Sequence, residues 1–302
     1  MNIADNPKYK RINDDIAAGR FYESLQHVMS TTKRMVIAKR FDEVFEVLHH
    51  FAMIYMDAGE HNQSIELMKE YINIAKRSNV VLGTANEEHF LSFYNATVAA
   101  VNKAMESCAG PSVEEAFSQV SNILDLAVDM MESPKLYLCL GKHCIDCNQL
   151  LLAQKYLVHG QDVELLFSAL KKWEPHVKEH ERGLLYLRCI LVLLAIGDFS
   201  SAKCMMLMLD LDVENAEVLP LPLQLAYILT ELCEQPDYQL FKVTCKTYRP
   251  VIDADPNLPR LMRKFRGRLF PDIHDPTDPY YVDPSMAGMS DNPMASLLKS
   301  LM

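Results

Sequence analysis

Two short strings in this 302-residue chain carry residues of the kinds that do chemistry. In His176-Val-Lys-Glu179-His180, an α-helix would set both imidazoles on one face with a carboxylate beside them, the spacing of the inverted zinc-protease string. The string follows Pro175 in the charge-dense WEPHVKEHERG, so it reads as a solvated first helical turn and not as the wall of an apolar cleft. No third ligand is assignable, and no metal is expected. Cys144-Ile-Asp-Cys147, preceded by His143, is a single CxxC with no second pair at finger spacing and no βαβ context for a redox centre. It reads as small side chains buried at a helix end. Adjacent carboxylates occur at Asp14-Asp15, Glu87-Glu88 and Glu114-Glu115, but successive residues on a helix point about 100° apart, so each pair reads as a solvated face. The chain has no Gly-rich phosphate loop, no GxSxG elbow and no Gly-rich dinucleotide fingerprint. Nothing here offers a seat for catalysis or implies a cofactor.

The elements that would position these residues are helical. The chain is 49% hydrophobic and 23% charged with only 10 Gly, which excludes general disorder and argues against the many tight turns of an all-β fold. Phe41, Val44, Phe45, Leu48, Phe51, Ala52 and Tyr55 recur at three and four, as do Val113, Ala116, Phe117, Val120, Ile123, Leu124 and Ala127; no period-two run competes. Breaks at Gly19, Gly59, Gly110-Pro111, Pro134, Gly160, Pro175, Gly197, Pro220 and Pro222 cut the chain into about a dozen helix-length segments. Gly19, Gly59 and Gly197 are each followed five residues later by a small residue, Ser24, Ser64 or Ala202, with Asn148 and Ala153 a weaker copy. Gly or Asn takes the left-handed turn and the small residue admits the neighbouring helix, so one hairpin is reused at irregular intervals. The expected fold is all-α: an irregular α-solenoid of tetratricopeptide-like helical hairpins.

Charge is unevenly placed. The formal net charge is −10, yet residues 1–40 hold eight Lys/Arg against four Asp/Glu, and Arg260, Arg263, Lys264, Arg266 and Arg268 form a second basic cluster. Basic ends on an acidic chain suit two distinct protein partners and suit nucleic acid poorly, since that would need a basic stripe along the body. The opening MNIADNPKYK has no apolar leader segment, and the longest apolar stretch, Leu184 to Ile196, contains Arg188 and is too short for a bilayer. A cytosolic protein with eight reduced cysteines and no direct membrane insertion is expected.

Three regions follow from these patterns: helical repeats over 1–110, further helical repeats over 111–270, and a tail over 271–302. In the first, Lys8, Lys10, Arg11, Arg20, Lys33, Arg34, Lys39 and Arg40 surround Phe21 and Tyr22; Arg and aromatic residues anchor interfaces, and a terminal repeat needs a polar face but not a strongly basic one. The tail opens as a Pro-rich stretch that reads as an extended linker and closes on Met294, Leu297, Leu298 and Leu301 at helical spacing. That unit is either a docking peptide or a flap on the chain's own body.

At these residues the sequence resembles a known family. Gly19-Arg-Phe-Tyr-Glu-Ser, with Gln26 and Arg34 after it, resembles the GDYYEAHQ signature and later Arg that open the Golgi-to-ER traffic protein 4 family, the α-solenoid scaffold of tail-anchored protein targeting. Pro134 to Tyr137 is similar to its Pro-x-Leu-His segment, Ala153-Gln-Lys-Tyr-Leu-Val-His-Gly to its AERYFMLG-like helix, Tyr248-Arg-Pro with Asp255-Pro and Leu269-Phe to its last repeat, and SLLKSLM to its C-terminal tail. Departures are Arg20 for an acidic residue, Leu25 for a His, Met29 for an Arg and Tyr137 for a His.

The resemblance implies a non-enzymatic bridge. Residues 1–110 would bind a homodimeric targeting ATPase in its nucleotide-loaded, closed form through Lys10, Arg11, Phe21, Tyr22, Gln26 and Arg34. Residues 111–270 and the tail would bind a ubiquitin-like-domain protein or larger adaptor, with Phe270, Leu297, Leu298 and Leu301 as contacts. The competing reading is a solenoid scaffold of another assembly, such as a vesicle coat, a proteasome lid or a co-chaperone adaptor.

Overall fold

A computed structural model describes residues 3, 6–106, 112–211 and 219–282, with side chains for all of these except 104–117. Fifteen α-helices and no strands occur among the described residues, as the periodicity requires. The chain divides into two compact units, Met1–Asn148 and Gln149–Met302. The sequence placed a boundary at 110, but the helices on either side of that point pack against one another and belong to the same unit.

Unit 1 contains α1 (Lys10–Ala17), α2 (Phe21–Ile37), α3 (Phe41–Asp57), α4 (His61–Ser78), α5 (Thr84–Glu106), α6 (Ser112–Met131) and α7 (Pro134–Asp146). α1 packs on α2, α2 on α3, α3 on α4, α5 on α6 and α6 on α7, while α2 on α4, α3 on α5, α4 on α6 and α5 on α7 also touch. This is a solenoid of stacked hairpins, in which each pair buries the apolar stripe its neighbour cannot cover alone. Tyr71 marks the centre: its ring stacks on Phe45 at 4.4 Å and meets Phe90 at 5.1 Å, so α3, α4 and α5 close over one aromatic cluster.

The turns between helices are the reused hairpin. Gly19 and Gly59 have φ of 72° and 82°, and each ends its helix with the same pair of bonds: Gly19 N to Ile16 O and Arg20 N to Asp15 O, then Gly59 N to Met56 O and Glu60 N to Tyr55 O. Asn148 and Gly197 take the same left-handed conformation at φ 55° and 89°. Lys39 does so too, at φ 56°, with Lys39 N bonded to Val36 O and Arg40 N to Met35 O. Residues 19, 39 and 59 are thus evenly spaced turns, one of which the glycine pattern hides. The small residues behave as expected: Ser24, Ser64, Ala153 and Ala202 are fully buried, and Ser64 Oγ donates to the Ala52 carbonyl of the facing helix at 2.6 Å.

Unit 2 contains α8 (Leu150–Leu157), α9 (Val163–Trp173), α10 (Arg182–Ile196), α11 (Phe199–Met208), α12 (Leu221–Glu234), α13 (Tyr238–Thr247), α14 (Arg249–Ile252) and α15 (Leu258–Leu269). Asp162, Asp198 and Asp237 cap α9, α11 and α13 by accepting from backbone N–H groups. The long apolar stretch is α10, packed on α11, α12 and α15 and apolar on nearly every face because it is the core of the unit. Beyond Arg182 at its start, its one charge is Arg188, which reaches Asp255 at 2.6 Å. None of the described helices is long and apolar enough to cross a membrane.

The first part of the tail is not a free linker. Residues 271–282 fold back on α13 and α15: Arg266, 3% exposed, bonds Asp278 and the carbonyls of Phe270 and Ile273, while Tyr280 is 6% exposed. A buried guanidinium needs several acceptors, and this segment supplies them.

Candidate protein-docking surfaces

The strings that looked most chemical come apart in three dimensions. His176 and His180 do not share a helical face: Glu174–His176 and Glu179–Glu181 are separate 3-10 turns, broken by extended Val177 and Lys178. Pro175 and the charge density favour this solvated arrangement, and His176, Glu179 and His180 are all exposed. Among the described residues no group of three or more His, Cys, Asp or Glu is placed to hold a metal. At the CxxC, Cys144 is buried and Cys147 exposed, with Cys147 Sγ 3.8 Å from His143 Nε2. Partial desolvation of its sulfur, followed by the charge of neighbouring Asp146, pushes the Cys147 thiol up, away from the reactive thiolate.

Two carboxylates read as solvated turn out to be structural. Asp15 is 6% exposed and accepts from Arg20 Nε at 3.0 Å, with His27 Nδ1 at 2.9 Å from its other oxygen. The Arg20 bond, ahead of that from His27, holds the Asp15 carboxyl below its ordinary range. Glu87 meets Lys135 of α7 at 3.1 Å. In both cases a partner distant in sequence, or across a turn, draws the carboxylate inward. The side chains of Glu114 and Glu115 lie outside the described residues.

On the N-terminal hairpins, Lys10, Arg11, Tyr22, Gln26 and Arg34 are exposed, and Tyr22 is 67% open to solvent. Phe21 is different: half-buried, it meets Tyr55 edge-on at 6.2 Å and seals α2 against α3. The departures also sort themselves. Arg20 is committed to Asp15, and Leu25, 2% exposed, serves the core. At 100° per residue, Tyr22, Gln26, Lys33 and Ile37 fall within about 60° of one another around α2, whereas Arg34 lies about 120° from Tyr22. The outer stripe of α2 is therefore aromatic, polar, basic and aliphatic in turn, ending on Ile37 at 83% exposure. Ile37 stands fifteen residues after Tyr22, a helical spacing that marks this face in the sequence.

At the other end, Phe270 is 6% exposed, with its ring 5.3 Å from Tyr238 and 5.5 Å from Phe241. It belongs to the core of unit 2 and is not available as a surface contact. Leu297, Leu298 and Leu301 lie outside the described residues.

Comparison with known proteins follows from this architecture. A model of the family described as Golgi to ER traffic protein 4 matches residues 38–302. The chain belongs to this family. A crystal structure of Get4 from C. therm. superposes with a TM-score of 0.63 at 14% identity, covering 96% of each chain, a likeness of fold. No curated protein matches the sequence significantly. The family match begins after α2, so the six N-terminal candidates from Lys10 to Arg34 lie ahead of it.

Proposed function

We propose that this Golgi-to-ER traffic family member is a cytosolic, non-enzymatic scaffold that bridges the tail-anchored-protein targeting ATPase to a ubiquitin-like-domain subunit or larger adaptor. The family match supports the pathway. The observation that carries the N-terminal contact is the exposed stripe of Tyr22, Gln26, Lys33 and Ile37, flanked by the exposed cations Lys10, Arg11 and Arg34. A large exposed aromatic and a large exposed aliphatic residue on one helix face, ringed by charge, have the composition of an interface centre and rim. Phe21 shapes this face from beneath.

The mechanism is selection by differential binding. A scaffold that contacts the closed, nucleotide-loaded ATPase better than the open form raises the population of the closed form by the ratio of its two affinities. Basic groups steer the encounter with an acidic ATPase surface, which makes association salt-sensitive. The C-terminal half holds the adaptor that delivers the client, through unit 2 and the terminal leucines 297, 298 and 301.

The test is a binding titration of full-length protein against the ATPase dimer. Arg11→Glu with Arg34→Glu is expected to weaken binding more than tenfold at low salt with helicity unchanged. Unchanged affinity rejects the assignment.

A further inference from the structure

Unit 2 carries a cavity of about 500 Å³ bounded by α13, α14, α15 and the returning segment 271–282. Its volume is in the range of pockets that hold organic ligands and peptide side chains. Lys242, Lys246, Arg249 and Arg263 line it, together with Pro259, Pro279 and Tyr280. Two carboxylates also face it, and both are already satisfied: Asp253 by Arg249 at 3.3 Å and Asp278 by Arg266 at 3.1 Å. Lys242 is held by Asp275 at 3.2 Å.

Lys246 and Arg263 are left over. Neither makes an ion pair among the described residues, and both are exposed on a chain whose net charge is −10. Two uncompensated cations on one concave wall create a local positive potential opposed to the charge of the whole molecule. The cations come from different helices, and the same wall carries two prolines and a tyrosine. A small inorganic anion would use only part of that surface, whereas a peptide that alternates carboxylates with apolar side chains would use both kinds of wall.

We propose that this groove binds an acidic, partly apolar segment of a partner protein, its carboxylates on Lys246 and Arg263 and an apolar side chain against Tyr280, Pro259 and Pro279. The inference deepens the C-terminal docking reading, and rests on it in taking the occupant to be a protein. The returning segment supplies Pro279 and Tyr280, so the groove exists because Arg266 pulls 271–282 back onto the unit.

The experiment uses the full-length chain and a fluorescent peptide of alternating Glu and Leu, followed by anisotropy at low salt. Saturable binding is expected, with none for the matching Lys/Leu peptide and at least tenfold weaker binding for the Glu/Ser peptide. Lys246→Glu with Arg263→Glu should weaken Glu/Leu binding at least tenfold, while Lys172→Glu with Lys264→Glu, an equal charge change outside the groove, should alter it less than twofold. Both pairs are exposed, and an unchanged circular dichroism spectrum confirms that each variant folds. The proposal is overturned if wild type fails to bind, as it would with the chain's own tail in the groove. Equal losses in the two double variants, or equal binding of the Glu/Ser peptide, overturn it as well. Titration of the same proteins with the ubiquitin-like-domain subunit separates this outcome from the docking reading: loss of groove binding with subunit binding intact removes only the groove.

Discussion

Arg266 Nε donates to Asp278 Oδ2 at 3.1 Å, with both side chains almost dry, 4% and 1% exposed. The same guanidinium donates to the carbonyls of Phe270 and Ile273, and the Tyr238 hydroxyl donates to Asp278, so the pair is satisfied on both sides. Nearby, Asp275 is held well below the carboxylate range, first by the Thr277 hydroxyl and N–H and then by Lys242. This knot turns a proline-rich segment into part of the fold.

Breaking the knot from one side leaves a buried, uncompensated charge. Asp278→Ala is expected to destabilise unit 2 by about 3–5 kcal/mol. Replacing both partners with apolar residues, Arg266→Met with Asp278→Leu, should recover much of that loss. Urea unfolding of the three proteins checks the order; a single variant no worse than the double one would contradict it.

The hairpins depend on small residues at their closest approach. Ser64 is fully buried and bonded to the Ala52 carbonyl, so Ser64→Leu has no room and should cost about 1–3 kcal/mol by overpacking. Ser64→Ala loses only the hydrogen bond, about 1 kcal/mol. Thermal or chemical melts showing Leu tolerated as well as Ala would mean that α3 and α4 do not approach this closely.

Stability should fall in mild acid because of His49. Its ring stacks on His89 at 4.1 Å, and burial, followed by the charges of His89 and His50, holds its pKa down at about 4 against an ordinary 6.5. Burial lowers His89 as well, against the opposing pull of Glu46 and Glu88. Between about pH 6.5 and 4 the unfolded chain takes up a proton that the folded chain refuses, so this contribution is complete above that window and declines as pH drops through it. The melting temperature should decrease from pH 7 to pH 5, and His49→Gln should flatten the decrease. Parallel pH profiles for wild type and variant would exclude His49 as the cause.

The outer face of α2 separates binding from folding. Tyr22→Ser with Ile37→Ser removes two exposed side chains and is expected to change stability by no more than about 0.5 kcal/mol. ATPase affinity should fall by about tenfold or more, the cost of losing interface anchors. Isothermal titration with a parallel melt measures both, and full affinity in the double variant would move the contact elsewhere.

Much of this architecture was readable because its signals are local. A glycine at φ 82° and a serine five residues later specify a hairpin whatever lies beyond it, and Gly59 with Ser64 did so. Lys39 takes the same turn without a glycine because a side chain at positive φ costs only about 1–2 kcal/mol, which stacked helices outweigh. The Lys39-Arg-Phe string, parallel to Gly19-Arg-Phe, was the clue. His176 and His180 misled in the opposite sense: their spacing fits a helix, but the backbone there forms two short turns.

From sequence alone came the helical class, the repeated hairpin turns, the basic first helices and the family, because periodicity, turn residues and ordered motifs act over a few neighbours. Only the tertiary structure decided that Asp15 turns inward to Arg20, that Phe270 is core, that α5 and α6 share a unit, and that residues 271–282 close a groove. Each of these depends on a contact made when the helices have already packed. Burial then changes the energy of a charge or ring by more than its local preference does.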